Sequence, residues 1–347
     1  MDRNEKSKVW SGRGSYFKWK PIDATANEVS IFHVEMGKED APVLLLIHGF
    51  PTCSIDWFEV ANLLKDRFRV CALDFPGYGF SDKPRGWGYS LARDAELIDF
   101  YVNEIIGADT LRIIAHDRGS SVALNYVLGT HRHLGAAEGQ KVEHLVLTNG
   151  NIFLPLSNLT EFQRMILNPE TAASVLEVLT PEMLAKGMGE TTFSPPRPVD
   201  HPDVVALTET FAHNDGTAVL HETIQYLVER SENEVEWLRR LAATDVPTTL
   251  IWGLLDRVSP PRVAMKVWND YLMLKPGRNR FYAVPGANHY LQVDQPASVV
   301  DAFLHSEDQT SDSSPGLLGT DIYGAQLLDE SREEILPSSQ ILKLRKS

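Results

Sequence analysis

The chain has 347 residues, 43% hydrophobic and 23% charged, the composition of a globular protein with a sizeable core. That length fits one large domain or two modest ones. A formal net charge of −14 argues against nucleic-acid and anionic-membrane partners and obliges any anionic substrate to find a local cationic pocket.

In chain order, the first twenty residues carry basic side chains but no apolar run, so no secretory leader is expected. VSIFHVEMG (29–37) reads as an antiparallel strand. VLLLIHG (43–49), FRVCALDF (68–75), LRIIAHD (111–117) and VEHLVLTNG (142–150) are short continuous apolar runs, as buried parallel strands are. Cys53 and Cys71 lack metal or redox spacing and read as buried free thiols in a reducing, cytoplasmic setting. SLARDAELIDFYVNEI (90–105) has helical periodicity with Ser90 at the N-cap position.

The strand rhythm stops between about 151 and 241, where helical segments are punctuated by proline, as in FSPPRPVDHPD (193–203). It resumes with TTLIWGLLD (248–256) and RFYAVPG (280–286). SEDQTSDSSPG (306–316) has the composition of a linker. No run reaches the roughly 18 apolar residues of a membrane span. Alternating strands and helices predict an α/β fold with a mostly parallel central sheet flanked by helices. The expected division is an N-terminal extension (1–24), a core (25–150 and 241–305), a helical lid (151–240) after the sixth core strand, and an acidic linker with a C-terminal tail (306–347), disordered or docked.

Asp117 ends a predicted buried strand, and Ala115 and Gly119 flank it at two residues either side. A sharp strand-to-helix turn that presents a nucleophile needs such small neighbours, in the pattern usually written G-x-S-x-G. Aspartate is also a favoured N-cap, so the residue alone leaves both readings open. HGFP (48–51) follows an earlier strand and can offer the Phe50 N–H to an oxyanion, with the Arg118 N–H as second donor. Asp256 and His289 follow two later strands. Nucleophile, acid and histidine thus come in triad order, each at the carboxyl end of a strand, where open α/β sheets bind ligands.

HGFP, DFPGYGFSDKP (74–84), AHDRGS (115–120), WGLLDRVSP (252–260) and GANHYLQVDQP (286–296) together resemble the α/β-hydrolase superfamily. More narrowly they resemble its aspartate-nucleophile branch, the epoxide hydrolases and the haloalkane or haloacetate dehalogenases. LTNGNIF (147–153) and NDGTAVLHETIQYLVER (214–230) are also similar to the mesoderm-specific-transcript subgroup. The resemblance covers roughly residues 29–304. It implies that Asp117 attacks a saturated carbon, and that His289, oriented by Asp256, activates water against the resulting ester.

For an epoxide the branch usually supplies lid tyrosines as acids; this lid has one, Tyr226, which can equally serve packing. His48 and His116 are further candidates for acid or substrate contact. Haloalkane dehalogenases usually have Asn after HG and Trp after the nucleophile, where this chain has Phe50 and Arg118. Haloacetate enzymes use Arg directly after the nucleophile and again three residues on; Arg118 fits, but Ser121 stands at the second place. Arg118 can instead bind an acidic epoxide or pair with a structural carboxylate. The leading expectation is an epoxide hydrolase making vicinal diols from a small molecule with an apolar body. A dehalogenase comes next, and a non-catalytic receptor on the same scaffold is the alternative of another class. No cofactor or metal is implied, because no loop cradles phosphate and the histidines lack ligand spacing. Monomer and homodimer are both open.

Overall fold

The apolar runs become the centre of a nine-stranded sheet in the computed structural model, which describes residues 5–23, 26–129, 141–308 and 326–330. The strands are β1 (Ser15–Trp19), β2 (Val29–Met36), β3 (Val43–Ile47), β4 (Arg69–Leu73), β5 (Thr110–His116), β6 (Lys141–Thr148), β7 (Thr248–Gly253), β8 (Arg280–Val284) and β9 (Gln326–Glu330). Their spatial order is β1-β2-β4-β3-β5-β6-β7-β8-β9. The six from β4 to β8 are parallel. β3, β7 and β8 are buried at every residue, as strands covered on both faces must be. The antiparallel expectation for 29–37 holds: β2 pairs antiparallel with β4 and with β1. Ser90 caps the helix Leu91–Phe100 by accepting the Arg93 N–H.

Strand order reverses between β3 and β5, and such a switch point opens a crevice at the carboxyl ends of the strands. The loop after β3 and the turn after β5 both face it. Between β6 and β7 the chain is helical: its longest helices are Pro169–Val178, Pro181–Thr191, Pro202–Ala212 and Tyr226–Ala242.

Both sheet edges come from chain outside the resemblance. β1 lies in the first twenty residues, behind the helix Glu5–Arg13. That helix buries Trp10, whose Nε1–H donates to Ser54 Oγ at 2.9 Å, and ties Lys6 and Ser7 to Asp203 and Glu209 of Pro202–Ala212. It therefore joins the turn beyond β3 to the helical insertion. β9, from the tail, pairs antiparallel with β8. The linker-like stretch 309–316 and the chain end 331–347 lie outside the described residues. Cys53 and Cys71 are buried and free. Among the described residues no helix is long and apolar enough to cross a membrane.

Candidate active site

β5 ends at His116, and Asp117 turns the chain into the helix Arg118–Val127 with φ 48° and ψ −118°. A positive φ is uncommon for a residue with a side chain, and Asp and Asn tolerate it best. The turn is tight enough to require glycine around it. A Cβ on Gly119 would lie 2.5 Å from the His48 carbonyl oxygen, and one on Gly49 would lie 2.7 Å from the Asp117 Cβ. Beyond the N–H of the residue directly after it, the Asp117 side chain makes no capping hydrogen bond to its own helix. Its Oδ2 instead accepts the Phe50 N–H at 2.9 Å, across from β3. The Arg118 N–H also bonds the carboxylate.

His289 completes the arrangement. Its Nε2 lies 3.8 Å from Asp117 Oδ1, and its Nδ1–H donates to Asp256 Oδ2 at 2.8 Å. All three side chains are buried. Burial pushes the Asp117 carboxyl above its ordinary range, against the pull of His289 and the two N–H donors. Burial also pushes the His289 imidazole down, but Asp256 and then Asp117 overcome it and hold the ring at about 9.

The sequence reading missed what holds Asp256. Its Oδ1 accepts the N–H groups of Val258 and Ser259 at 2.7 and 3.0 Å. Its Oδ2 also takes Asn149 Nδ2 at 2.6 Å. Asn149 directly follows β6 with φ 40°, and its Oδ1 accepts the Gly253 N–H at 2.8 Å. It is thus fixed at both ends, and it fixes the carboxylate that orients His289. The signal was present as Asn-Gly at a strand end, a pair suited to positive φ. Asn149→Ala is expected to destabilise the fold by about 1–3 kcal/mol, because a buried carboxylate and the Gly253 N–H both lose a partner; denaturant melts measure it.

The other candidates divide. His48 uses both ring nitrogens within the fold. Its Nδ1–H donates to the Gly49 carbonyl at 2.8 Å, and its Nε2 accepts the Phe75 N–H at 3.1 Å. Burial pushes its pKa down to about 3, so it stays neutral. His116 is also buried and neutral; its ring lies 5.1 Å from that of His289, and its Nδ1 is 3.2 Å from Thr148 Oγ1.

The Arg118 side chain pairs with Asp94 and packs over Phe75, Tyr78 and Tyr226. Tyr226, on the helix Tyr226–Ala242, is buried with its ring 5.9 Å from that of Phe50. Its hydroxyl has no partner among the described residues. Burial and then Asp117 push that phenol well above its usual pKa, so it is a proton holder at neutral pH. A second tyrosine, Tyr290, donates its O–H to the Phe50 carbonyl at 3.1 Å and braces the same loop. Among the described residues no cluster of His, Cys, Asp and Glu is placed to hold a metal.

Comparison with known proteins shows the fold family. Residues 42–296 match the alpha/beta hydrolase fold family. The chain is 30% identical over 271 residues to the putative hydrolase LipZ of Mycobacterium tuberculosis, covering 78% of this chain and 90% of that one. It is 26% identical over 314 residues to the human mesoderm-specific transcript homolog protein, covering 85% and 86%. Among solved structures, haloalkane dehalogenase DbeA from Bradyrhizobium elkani superposes with a TM-score of 0.67 at 20% identity, covering 85% and 99%.

Proposed function

Because the chain belongs to the alpha/beta hydrolase fold family, we propose that it is a hydrolase with Asp117 as nucleophile, acting on an epoxide beneath a lid formed by the helical insertion. One observation carries the reading: a buried carboxylate in a strained turn, with one oxygen held by the Phe50 N–H and the other facing His289. Serine nucleophiles suit acyl carbonyls, whereas a carboxylate suits a saturated carbon and forms an alkyl ester.

The hydrogen bond on Oδ2 leaves Oδ1 to attack. It forms a bond to an epoxide carbon, whose bond to the ring oxygen breaks, and that oxygen takes the proton of Tyr226. The ester removes the negative charge that helped hold His289 near 9, so the imidazole falls and becomes neutral. Its Nε2 then takes a proton from water, which attacks the ester carbonyl. The charge on Oδ2 rests on the N–H groups of Phe50 and Arg118. Collapse of the tetrahedral intermediate expels the diol alkoxide, which takes the proton from His289, while Tyr226 recovers its own from solvent.

Single turnover in water labelled with oxygen-18, with enzyme in excess over each member of a panel of epoxides, tests the route. The label is expected in Asp117 and absent from the first diol released. Label in that first diol means direct attack by water and overturns the nucleophile.

The pH profile follows from the charges. Ester formation needs Asp117 ionised, so it is lost as pH falls through a value above the ordinary carboxylate range. Ester hydrolysis needs neutral His289, so it rises with pH and levels off at a value below about 9, because Asp117 no longer holds the ring up. Rapid-mixing measurements of the two phases separate these limbs. A second reading, displacement of halide from a halogenated acid, uses the same attack and is favoured by an arginine, Arg118, directly after the nucleophile. Tyr226 supports the epoxide reading, since a departing halide needs no proton.

A further inference from the structure

The loop that carries His289 is bonded to the helical insertion on both sides of the ring. Asn288 Nδ2 donates to the carbonyls of Thr191 and Phe193 at 3.1 and 3.2 Å, while its Oδ1 accepts the His289 N–H at 2.9 Å. The Tyr290 N–H donates to the Thr192 carbonyl at 3.4 Å. The segment 191–197, at the end of the helix Pro181–Thr191, is therefore the brace on which this loop rests.

Asp294 ties the same two segments together. Its side chain is fully buried. Its Oδ2 accepts the Asn288 N–H at 2.9 Å, and both its oxygens accept the Ser194 N–H at 3.0 Å. Its Oδ1 lies 3.4 Å from Arg197 Nη2, which also donates to the Val293 carbonyl at 3.1 Å. The Arg197 guanidinium carbon stands 4.6 Å above the Phe193 ring, and that ring lies 5.3 Å from the ring of Tyr290.

The charges continue outward from there. Arg197 Nη1 pairs with Asp203 at the start of Pro202–Ala212, and Asp203 pairs with Lys6 of the helix Glu5–Arg13. Lys6, Asp203, Arg197 and Asp294 alternate in sign, so their charges cancel along the line. Burial pushes the Asp203 carboxyl up, but Lys6 and then Arg197 bring it below its ordinary value. None of the four side chains is more than 16% exposed, so removing one strands its neighbour in a poorly solvated place. The line starts outside the residues 42–296 that match the family and ends on the N–H of the residue before His289.

We infer that Arg197 and Asp294 are positioning residues for His289: they hold its loop to the insertion so that the imidazole stays against Asp256, and Lys6 of the N-terminal helix anchors them. The effect on turnover rests on the hydrolase reading, whereas the seating of the ring is measured without substrate. A loosened His289 slows the step in which it takes a proton from water. Ester formation draws on Asp117, the N–H groups of Phe50 and Arg118, and Tyr226, which this line of charges does not touch.

Proton NMR of the full chain reads the seating through the low-field signal of the His289 Nδ1–H that Asp256 accepts. His289→Gln and Asp256→Asn identify that signal by its loss. Arg197→Gln is expected to broaden or lose it while the fold is kept by circular dichroism, and Arg197→Lys to restore part of it. In single turnover at mildly alkaline pH, Arg197→Gln is expected to slow ester hydrolysis at least about tenfold and ester formation less than about threefold. Lys6→Met is expected to act in the same direction and more weakly. Should Arg197→Gln fail to fold, Asp294→Asn keeps the shape and an accepting oxygen but drops the charge, and the same loss of signal is expected of it. No such signal in the wild type, a signal as sharp in the folded variant as in the wild type, or equal slowing of the two phases each overturn the proposal. A Lys6→Met chain indistinguishable from the wild type overturns the part given to the N-terminal helix. If the wild type forms no ester, the hydrolase reading fails, and the NMR signal still decides the positioning.

Discussion

Turnover by His289→Gln is expected to fall by about 10³-fold or more while an ester accumulates on Asp117. Glutamine fills much of the space of the imidazole but cannot accept a proton from water. The first step draws on groups that the substitution leaves in place: Asp117, the N–H groups of Phe50 and Arg118, and Tyr226. One cost is predictable. His289 pulls the Asp117 carboxyl down against burial, so its loss lets that carboxyl rise further. Trapping therefore belongs at mildly alkaline pH, where Asp117 is still ionised. Intact mass and peptide mapping, after exposure to epoxides and halogenated acids, read the result. A gain on Asp117 equal to the whole compound identifies an opened epoxide, and a gain short by hydrogen halide identifies displacement. A folded variant that stays unmodified by compounds the wild type converts rules out Asp117 as nucleophile. If the wild type converts none of them either, the weight moves to a binding role for the scaffold.

The central strands were legible because parallel strands buried on both faces are forced into continuous apolar runs, and β3, β7 and β8 carry no polar alternation to obscure them. The edge strands were not. SYFKW in β1 buries only Trp19, and QLLDE in β9 sits in an acidic tail whose composition gives no sign of a strand. Both exist through pairing with a sheet already formed, which is a tertiary cause that local pattern does not record. The site shows the same division. Asp117, Asp256 and His289 announced themselves because each follows an apolar run, and the structure brings them together. Asn149 and Arg197 did not, since their roles come from what folds against them. Arg197 reaches Asp294 over 97 positions of chain, and no spacing rule carries that far.

Asp117→Asn is expected to abolish turnover, by about 10⁵–10⁶-fold, while leaving stability unchanged or higher. The two halves of this result have separate causes. An amide oxygen is too poor a nucleophile to open the ring. Stability behaves otherwise because asparagine tolerates a positive φ as aspartate does, and its Oδ1 can still accept the Phe50 N–H. The substitution also removes a buried negative charge whose pKa shows that burial opposes it, at the cost of its attraction to the His289 imidazolium. Asp117→Ala separates these terms. It leaves the Phe50 N–H buried without an acceptor and places alanine at a φ it resists, so it is expected to lose about 1–3 kcal/mol. Denaturant melts beside activity assays decide the matter. A dead but fully stable Asp117→Asn means that the carboxylate is kept for chemistry, against the interest of the fold. An active Asp117→Asn removes Asp117 from the reaction. A variant unstable to the same degree as Asp117→Ala assigns the charge a structural task, which the missing cap bond argues against.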